Sequence, residues 1–444
     1  MLQVFIPTHF YAERHYALHV MLEIILGLTV HYNAYDKSAV KLSWEGGDLI
    51  FEDAFWKNYT EPDYATQAAL PQAPQWLDYE GLSRPLPVIY GKAHVKPGHC
   101  YADVVASVFF MLTRWEESVK PDRDKHDRFI GKASYAFQHQ LLDRALVHEY
   151  ADFIGLLLTE AGYKLAKVQR TFKKGFTHDL DIPYKWSKFS RLAVSLGGDI
   201  LKRKSPLLAL QTLNSFIQTR VFNAPDPFDV YDVLMDVSEA NNSLSHFNLM
   251  ASTPSQWDEG YDLNHPKIKK IIQTIQARGH QFGFHPGYDT YLNPTLWNHQ
   301  KNNLEQILGQ QIQSGRQHFL RFKAPDTWQL WADMGMTSDS SAAYADVEGF
   351  RCGMCIPFPV FNFKTRKILT LYEHPLIAME VTLAEYQAYT PDQFLARVNM
   401  LKNEVKRHQG EFVWLWHNHS FNTPFWKKYQ GIYLAGTNFL DTPK

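Results

Sequence analysis

Cysteine is scarce in this chain: 444 residues contain three. A small, odd number excludes a disulfide scaffold. An excess of positive charge is also missing. Forty-five Lys and Arg stand against 46 Asp and Glu, for a net charge of −1. A general nucleic-acid binder would need a basic face. Long apolar runs are absent as well. The most apolar stretch near the N-terminus, residues 18–30, is interrupted by His19 and Glu23 and falls short of the ~20 residues that a membrane span needs. The opening MLQVFIPTHF has no basic region ahead of an apolar run, so we expect no signal peptide. Repeats and low-complexity tracts are lacking too. We therefore expect a soluble, cytoplasmic protein with no nucleic-acid partner and no transmembrane span.

What is present is a globular composition: 45% hydrophobic, 14% aromatic and 20% charged, with 20 histidines. The length suits two or three domains. Short strand candidates at 4–7 and 86–90, a glycine-centred hairpin at 41–55 and helical spacing at 12–28, 101–115 and 139–158 predict an α+β domain over residues 1–165. From 166 to 444 the pattern alternates. Strand candidates at 175–178, 243–250, 281–285, 319–322, 368–372 and 412–416 are interleaved with helical stretches at 228–240, 266–277, 296–308 and 391–408. Such alternation predicts an α/β domain with a parallel sheet, open or closed into a barrel. A basic, amphipathic interruption at 186–222 reads as a packed helical excursion, with a lid or a peripheral membrane contact through 196–222 as the alternative.

Four motifs carry chemistry. Thr177-His178-Asp179-Leu180-Asp181 ends a predicted strand, and carboxylates two residues apart share one side of extended backbone. Two close carboxylates resist joint ionisation unless a cation neutralises them. His285 closes a second apolar strand ahead of Pro286 and Gly287, with Tyr288 and Asp289 beyond. Strand-to-loop exits of parallel α/β folds are where ligands bind. A third strand, at 411–416, runs into His417 and His419. The fourth motif holds His318, Arg321, Pro325, Asp326 and Trp328, followed by Asp339. An Arg beside an active carboxylate would keep it ionised. Cys352 and Cys355 form a single CxxC, read as two unligated thiols.

This set resembles the NodB-like polysaccharide deacetylases, a family of metal-dependent carbohydrate esterases. It is most similar to a divergent bacterial branch that has an extra N-terminal domain and is associated with polysaccharide biosynthesis. The likeness covers roughly residues 173–420, and residues 109–128 also look like that branch's N-terminal domain. The resemblance implies a distorted parallel (β/α) barrel of about seven strands. It implies Asp179 as catalytic base, with Asp181 and His285 as metal ligands. The family's second histidine ligand falls on Asp289 here, which can also ligate a divalent ion; His318 and His280 are other sources of an imidazole. Arg321 and Pro325 match the third motif loosely, and Leu415-Trp416-His417 matches the late one, implying His417 as general acid.

The expected activity is N-deacetylation of an acetylated amino sugar or polysaccharide, with a divalent metal, zinc foremost, as cofactor. Arg321 would orient Asp179, with His178, His318, Asp339 and His419 in support. Tyr288, Trp328 and Trp416 would offer the sugar an apolar platform. Two other readings compete: a glycoside hydrolase pairing Asp179 with Asp339 or Asp326, and a non-catalytic carbohydrate-binding or polysaccharide-biosynthesis protein.

Overall fold

The computed structural model describes residues 1–166 and 168–437. Residue 167 and the end of the expected second domain, 438–444, lie outside the described residues. The chain divides into two compact units, and neither is contiguous. The first comprises Met1–Lys173, Phe319–Ile377 and Met400–Phe412; the second comprises Lys174–His318, Ala378–Asn399 and Val413–Lys444. The first crossing falls near the expected boundary at 165. The later ones have no counterpart in the sequence pattern.

The first unit contains a six-stranded mixed sheet. Leu2–Pro7 pairs in parallel with Val30–Tyr35 and antiparallel with Val40–Trp44, and the latter turns at Gly46 and Gly47 into Gly47–Phe51 as the hairpin pattern predicts. The helix Val104–Thr113 is buried along its whole length, as an all-round apolar sequence requires. Lys367–Glu373 lies here, in a three-stranded sheet with Phe358–Asn362 and Ser338–Asp339. The strand expected at 368–372 therefore exists but does not join the parallel sheet. Residues 319–322 form no strand: His318–Leu320 is a turn with positive φ at Phe319 (60°) and Leu320 (52°).

The second unit carries most of a five-stranded sheet. Its strands are β1 (Lys173–Leu180), β2 (Ser245–Leu249), β3 (Gln281–Phe284), β4 (Leu376–Met379) and β5 (Glu411–Leu415), in spatial order β3-β2-β1-β5-β4. β1, β2 and β3 run parallel. Helices connect them as the alternation predicts: α1 (Phe189–Gly197), α2 (Pro206–Arg220) and α3 (Tyr231–Ala240) between β1 and β2, and α4 (Pro266–Ala277) between β2 and β3. α5 (Pro294–Leu308) follows β3. Pro at the first helical position opens α2, α4 and α5, where its missing N–H costs nothing.

Beyond β3 the sheet extends by one isolated parallel bridge, Phe284 to Gly315. Gly315 permits that approach, because a Cβ there would lie 2.0 Å from the Phe284 carbonyl oxygen. Among the described residues the sheet does not close. A closed seven-stranded barrel is not seen among them: 319–322 forms no strand, and 368–372 pairs in the three-stranded sheet of the first unit. No helix among the described residues is long and apolar enough to cross a membrane.

Candidate metal and acid–base site

The site begins with the pleat of β1. Phe176, His178 and Leu180 alternate with Thr177 and Asp179, so the two sets face opposite sides of the sheet. His178 turns into the core, where Nδ1 lies 2.8 Å from the Trp416 carbonyl oxygen and Nε2 lies 3.1 Å from Ser245 Oγ. Burial pushes its pKa down to about 4. It is a neutral structural histidine and takes no part in the cluster below.

On the other face, Asp179 stands opposite Asn248 of β2 in register. Asn248 Nδ2 donates to Asp179 Oδ1 at 2.6 Å. Gly283 of β3 makes room for Asn248, since a Cβ there would come 2.1 Å from its Oδ1. Arg316 Nη1 donates to the same Asp179 oxygen at 2.9 Å and to Thr177 Oγ1 at 3.1 Å. Burial opposes ionisation of Asp179, but the Arg316 guanidinium, with His285 and His417, outweighs it and holds the carboxyl below its ordinary range. Arg316 therefore fills the position expected of Arg321. Arg321 belongs to the first unit, and its Nε donates to the His126 carbonyl at 2.9 Å.

Asp181 lies just past the strand end. Its Oδ1 is 3.0 Å from His285 Nε2 and 3.4 Å from His318 Nε2. The three ligand atoms lie within 4.8 Å of one another. Each imidazole is oriented from behind. His285 Nδ1 lies 2.7 Å from the Arg316 carbonyl oxygen, and His318 Nδ1 lies 2.8 Å from Asp258 Oδ1. Both partners accept, so both Nδ1 atoms donate, and the neutral tautomer then carries its lone pair on Nε2. Burial again opposes the charge on Asp181, but His318, His285 and His417 outweigh it and hold the carboxyl far below its usual range. Asp289 is not a member of this group. It sits exposed in the turn Tyr288–Thr290, while its neighbour Tyr288 donates its N–H to Asp258 at 3.0 Å. His318 stands where Asp289 was expected. His280 is engaged elsewhere, accepting from Ser245 N at 2.9 Å through Nδ1, with Nε2 3.0 Å from Glu239.

On the other side of Asp181, His417 Nε2 lies 3.7 Å from Oδ2. Glu380, fully buried at the end of β4, accepts from His417 Nδ1 at 2.7 Å and from its backbone N–H at 3.0 Å. Burial would strip the proton from His417, but Glu380, with Asp181 and Asp179, pushes its pKa up to about 10. His419 has its ring 5.1 Å from that of His417. Burial, reinforced by His417, pushes it down to about 4, so it is neutral. It lines a cavity of about 700 Å³ with Lys185, Phe228, Phe425 and Trp426.

The expected aromatic platform divides. Tyr288 stacks on Trp257 at 5.3 Å between centroids, beside the Asp258 that orients His318. Trp416 is fully buried in the core, its Nε1 donating to the Ser420 carbonyl and its ring against Tyr433. Trp328 is equally buried in the first unit, hydrogen-bonded to Glu373 at 2.8 Å. Neither presents a face to a sugar. Asp339 also belongs to the first unit, accepting from the backbone N–H of Ser341, and Asp326 pairs there with Lys364 at 2.6 Å. Five participants escape sequence reasoning: Asn248, Trp257, Asp258, Arg316 and Glu380. Arg316 and Glu380 carry a usable signal, an Arg two residues ahead of a His and an apolar strand ending in a Glu. Asn248, Trp257 and Asp258 carry none.

Comparison with known proteins gives three findings. Residues 2–163 match DUF7033, a family of unknown function. No curated protein matches the chain. Among solved structures, the chain is similar to two proteins assigned as polysaccharide deacetylases. The one from Mycobacterium smegmatis is 14% identical with a TM-score of 0.38, and the one from Pseudomonas aeruginosa is 12% identical with a TM-score of 0.37. Each match covers 61% of this chain and 85% of the other. It is also similar to a polysaccharide deacetylase from Bacillus cereus, at 10% identity and a TM-score of 0.29, covering 61% of this chain and 87% of that one.

Proposed function

We propose that this protein is a metal-dependent hydrolase that removes the N-acetyl group of an amino sugar within a glycan. The observation that carries the reading is one convergence. Asp181, His285 and His318 gather three ligand atoms between a clamped, ionised Asp179 and a protonated His417.

The donor set fits a divalent cation. Two imidazole nitrogens and a carboxylate oxygen, with at least one position left for solvent or substrate, is a set zinc accepts in hydrolytic sites. The carbonyl of Arg316 and the carboxylate of Asp258 fix both rings, as orienting partners of metal-binding histidines do. When bound, the cation would polarise the amide carbonyl and make water more acidic.

The chain's own residues then divide the proton work. Arg316 and Asn248 hold Asp179 Oδ1, which fixes the carboxylate plane and leaves Oδ2 to take the proton of the attacking water. The hydroxyl oxygen forms the new bond to the carbonyl carbon. His417 carries a proton at Nε2 because Glu380 holds Nδ1, and it delivers that proton to the nitrogen as the C–N bond breaks. Acetate and a free amino sugar leave, and the site resets when Asp179 loses its proton and His417 regains one. Tyr288 on Trp257, and the cavity lined by Phe228, Phe425 and Trp426, supply apolar faces for pyranose rings.

The test is acetate release, followed by NMR on a panel of N-acetylated oligosaccharides, with metal content measured by mass spectrometry. Activity lost in Asp179→Asn with metal retained supports the reading. A metal-loaded wild type that releases no acetate from any member of the panel overturns it.

A further inference from the structure

The segment between β1 and β2 is unlike the rest of the surface. Of the 21 large hydrophobic side chains exposed among the described residues, ten lie between Phe189 and Phe222. Leu201 is 79% exposed, Phe189 71%, and Leu207, Leu210, Val221 and Phe222 between 64% and 66%.

α2 shows how this arises. Ala209, Thr212, Phe216 and Thr219 recur at helical spacing and face inward. Phe216 meets Trp186 edge-on at 5.5 Å and forms a small core with Trp186 and Leu192. Leu207, Leu210, Ile217 and Val221 recur at the same spacing on the other side, where a surface helix should be polar. The pair is not loosely held. Asp199, buried after α1, accepts from Thr212 Oγ1 of α2 at 2.6 Å. The outward apolar face is therefore displayed by a fixed helix, and it exceeds what scattered surface residues account for.

Charge identifies what covers it. Residues 188–222 contain six basic side chains and one acidic, in a chain whose net charge is −1. Lys188 and Arg191 pair with Glu259, and Arg203 pairs with Asp199. Lys202, Lys204 and Arg220 are exposed and make no ion pair among the described residues. A broad apolar face bordered by unneutralised cations matches an acyl boundary below anionic headgroups, whereas a protein partner's apolar patch would leave those cations unmatched.

We propose that α1, α2 and the turn between them dock on the surface of an anionic lipid bilayer. The inference does not rest on the hydrolase reading. The experiment is co-sedimentation of the full chain with vesicles of phosphatidylcholine and phosphatidylglycerol, and with phosphatidylcholine alone, at low and high salt. We expect binding at least about tenfold tighter to the anionic vesicles, weakened by salt. Leu201→Ser with Leu210→Ser should abolish it. Lys202→Gln, Lys204→Gln and Arg220→Gln together should reduce it to the level of neutral vesicles. All five positions are exposed, so circular dichroism melting should match wild type. The proposal is overturned if the chain stays in the supernatant, if it binds both vesicle types equally, or if the leucine variant binds as well as wild type. It is also overturned if the leucine pair instead converts a dimer to a monomer in sedimentation velocity with no vesicle binding in wild type; the face would then belong to a second copy.

Discussion

Each unit buries a cluster of ionisable side chains, and the two clusters are wired differently. In the first unit, Arg351 donates to both oxygens of Glu117, Arg114 donates to Glu116 and Glu117, and Tyr344 donates to Glu117 while accepting from Arg114. Cations and carboxylates face each other, and the charges cancel within the network. Such a network sets a geometry. In the second unit the orientation is inverted. The Nδ1–H donors of His285 and His318 point away from the centre, to a carbonyl and a carboxylate, and the Nε2 atoms point toward the oxygen of Asp181. Burial lowers the His285 pKa, but Asp179 and Asp181 outweigh it and favour the charged ring, which donates from Nε2 to Asp181. The difference separates buried charge that cancels within a network from buried side chains gathered at the end of a strand.

Two substitutions should break the comparison in opposite directions. Asp179→Asn keeps the size of the side chain and removes the base. We expect acetate release to fall by roughly 10²–10⁴-fold, with metal content close to wild type. A variant that keeps its acetate release would mean that Asp179 belongs with the structural networks. Glu117→Gln should do the reverse. It leaves Arg351 without its counter-charge and Arg114 with Glu116 alone, and breaking a buried pair costs about 3–5 kcal/mol. Urea denaturation should show that loss, while the protein that still folds should bind metal normally.

A third pair of variants sharpens the choice between neighbouring aspartates. Asp258→Asn removes the carboxylate that orients His318, and we expect metal affinity to fall about 10–100-fold. Asp289→Asn should leave it unchanged, because Asp289 is exposed and outside the cluster. Competition with a chromogenic chelator measures both. Equal losses in the two variants would return Asp289 to the site.

What could be read from sequence followed from local rules, and what could not depended on long-range placement. The strand ends at Asp179, His285 and His417 were legible because an apolar run that stops at a polar residue marks a strand exit. Likewise, the alternation along β1 separates His178 from Asp179 only once the side of the pleat is known. Arg316 and Arg321 are chemically identical five residues apart, and the choice between them hangs on the single bridge at Gly315 that aims Arg316 at β1. Asp289 satisfied the expected spacing from His285, but the turn after Gly287 directs the backbone N–H of Tyr288 to Asp258 and leaves Asp289 in solvent. The strand at 368–372 was real, yet periodicity carries no information about which sheet a strand joins.

The smallest expected effect tests the acid side of the site. Glu380 keeps His417 protonated against the pull of burial, so the group is an acid across the neutral range. A folded-state pKa raised above the ordinary histidine value contributes stability that is fully present below about 6.5. That contribution is lost as pH rises through about 10. Glu380→Gln removes the counter-charge while keeping a carbonyl oxygen for Nδ1–H, so burial should regain the upper hand and His417 should lose its proton at lower pH. We expect the alkaline limb of kcat/KM to move toward neutrality by roughly one to three pH units, with the acid limb, set by Asp179, left in place. A profile that falls uniformly at all pH values would show that Glu380 only positions the ring, and the proton delivered to the leaving nitrogen would then have to come from another donor.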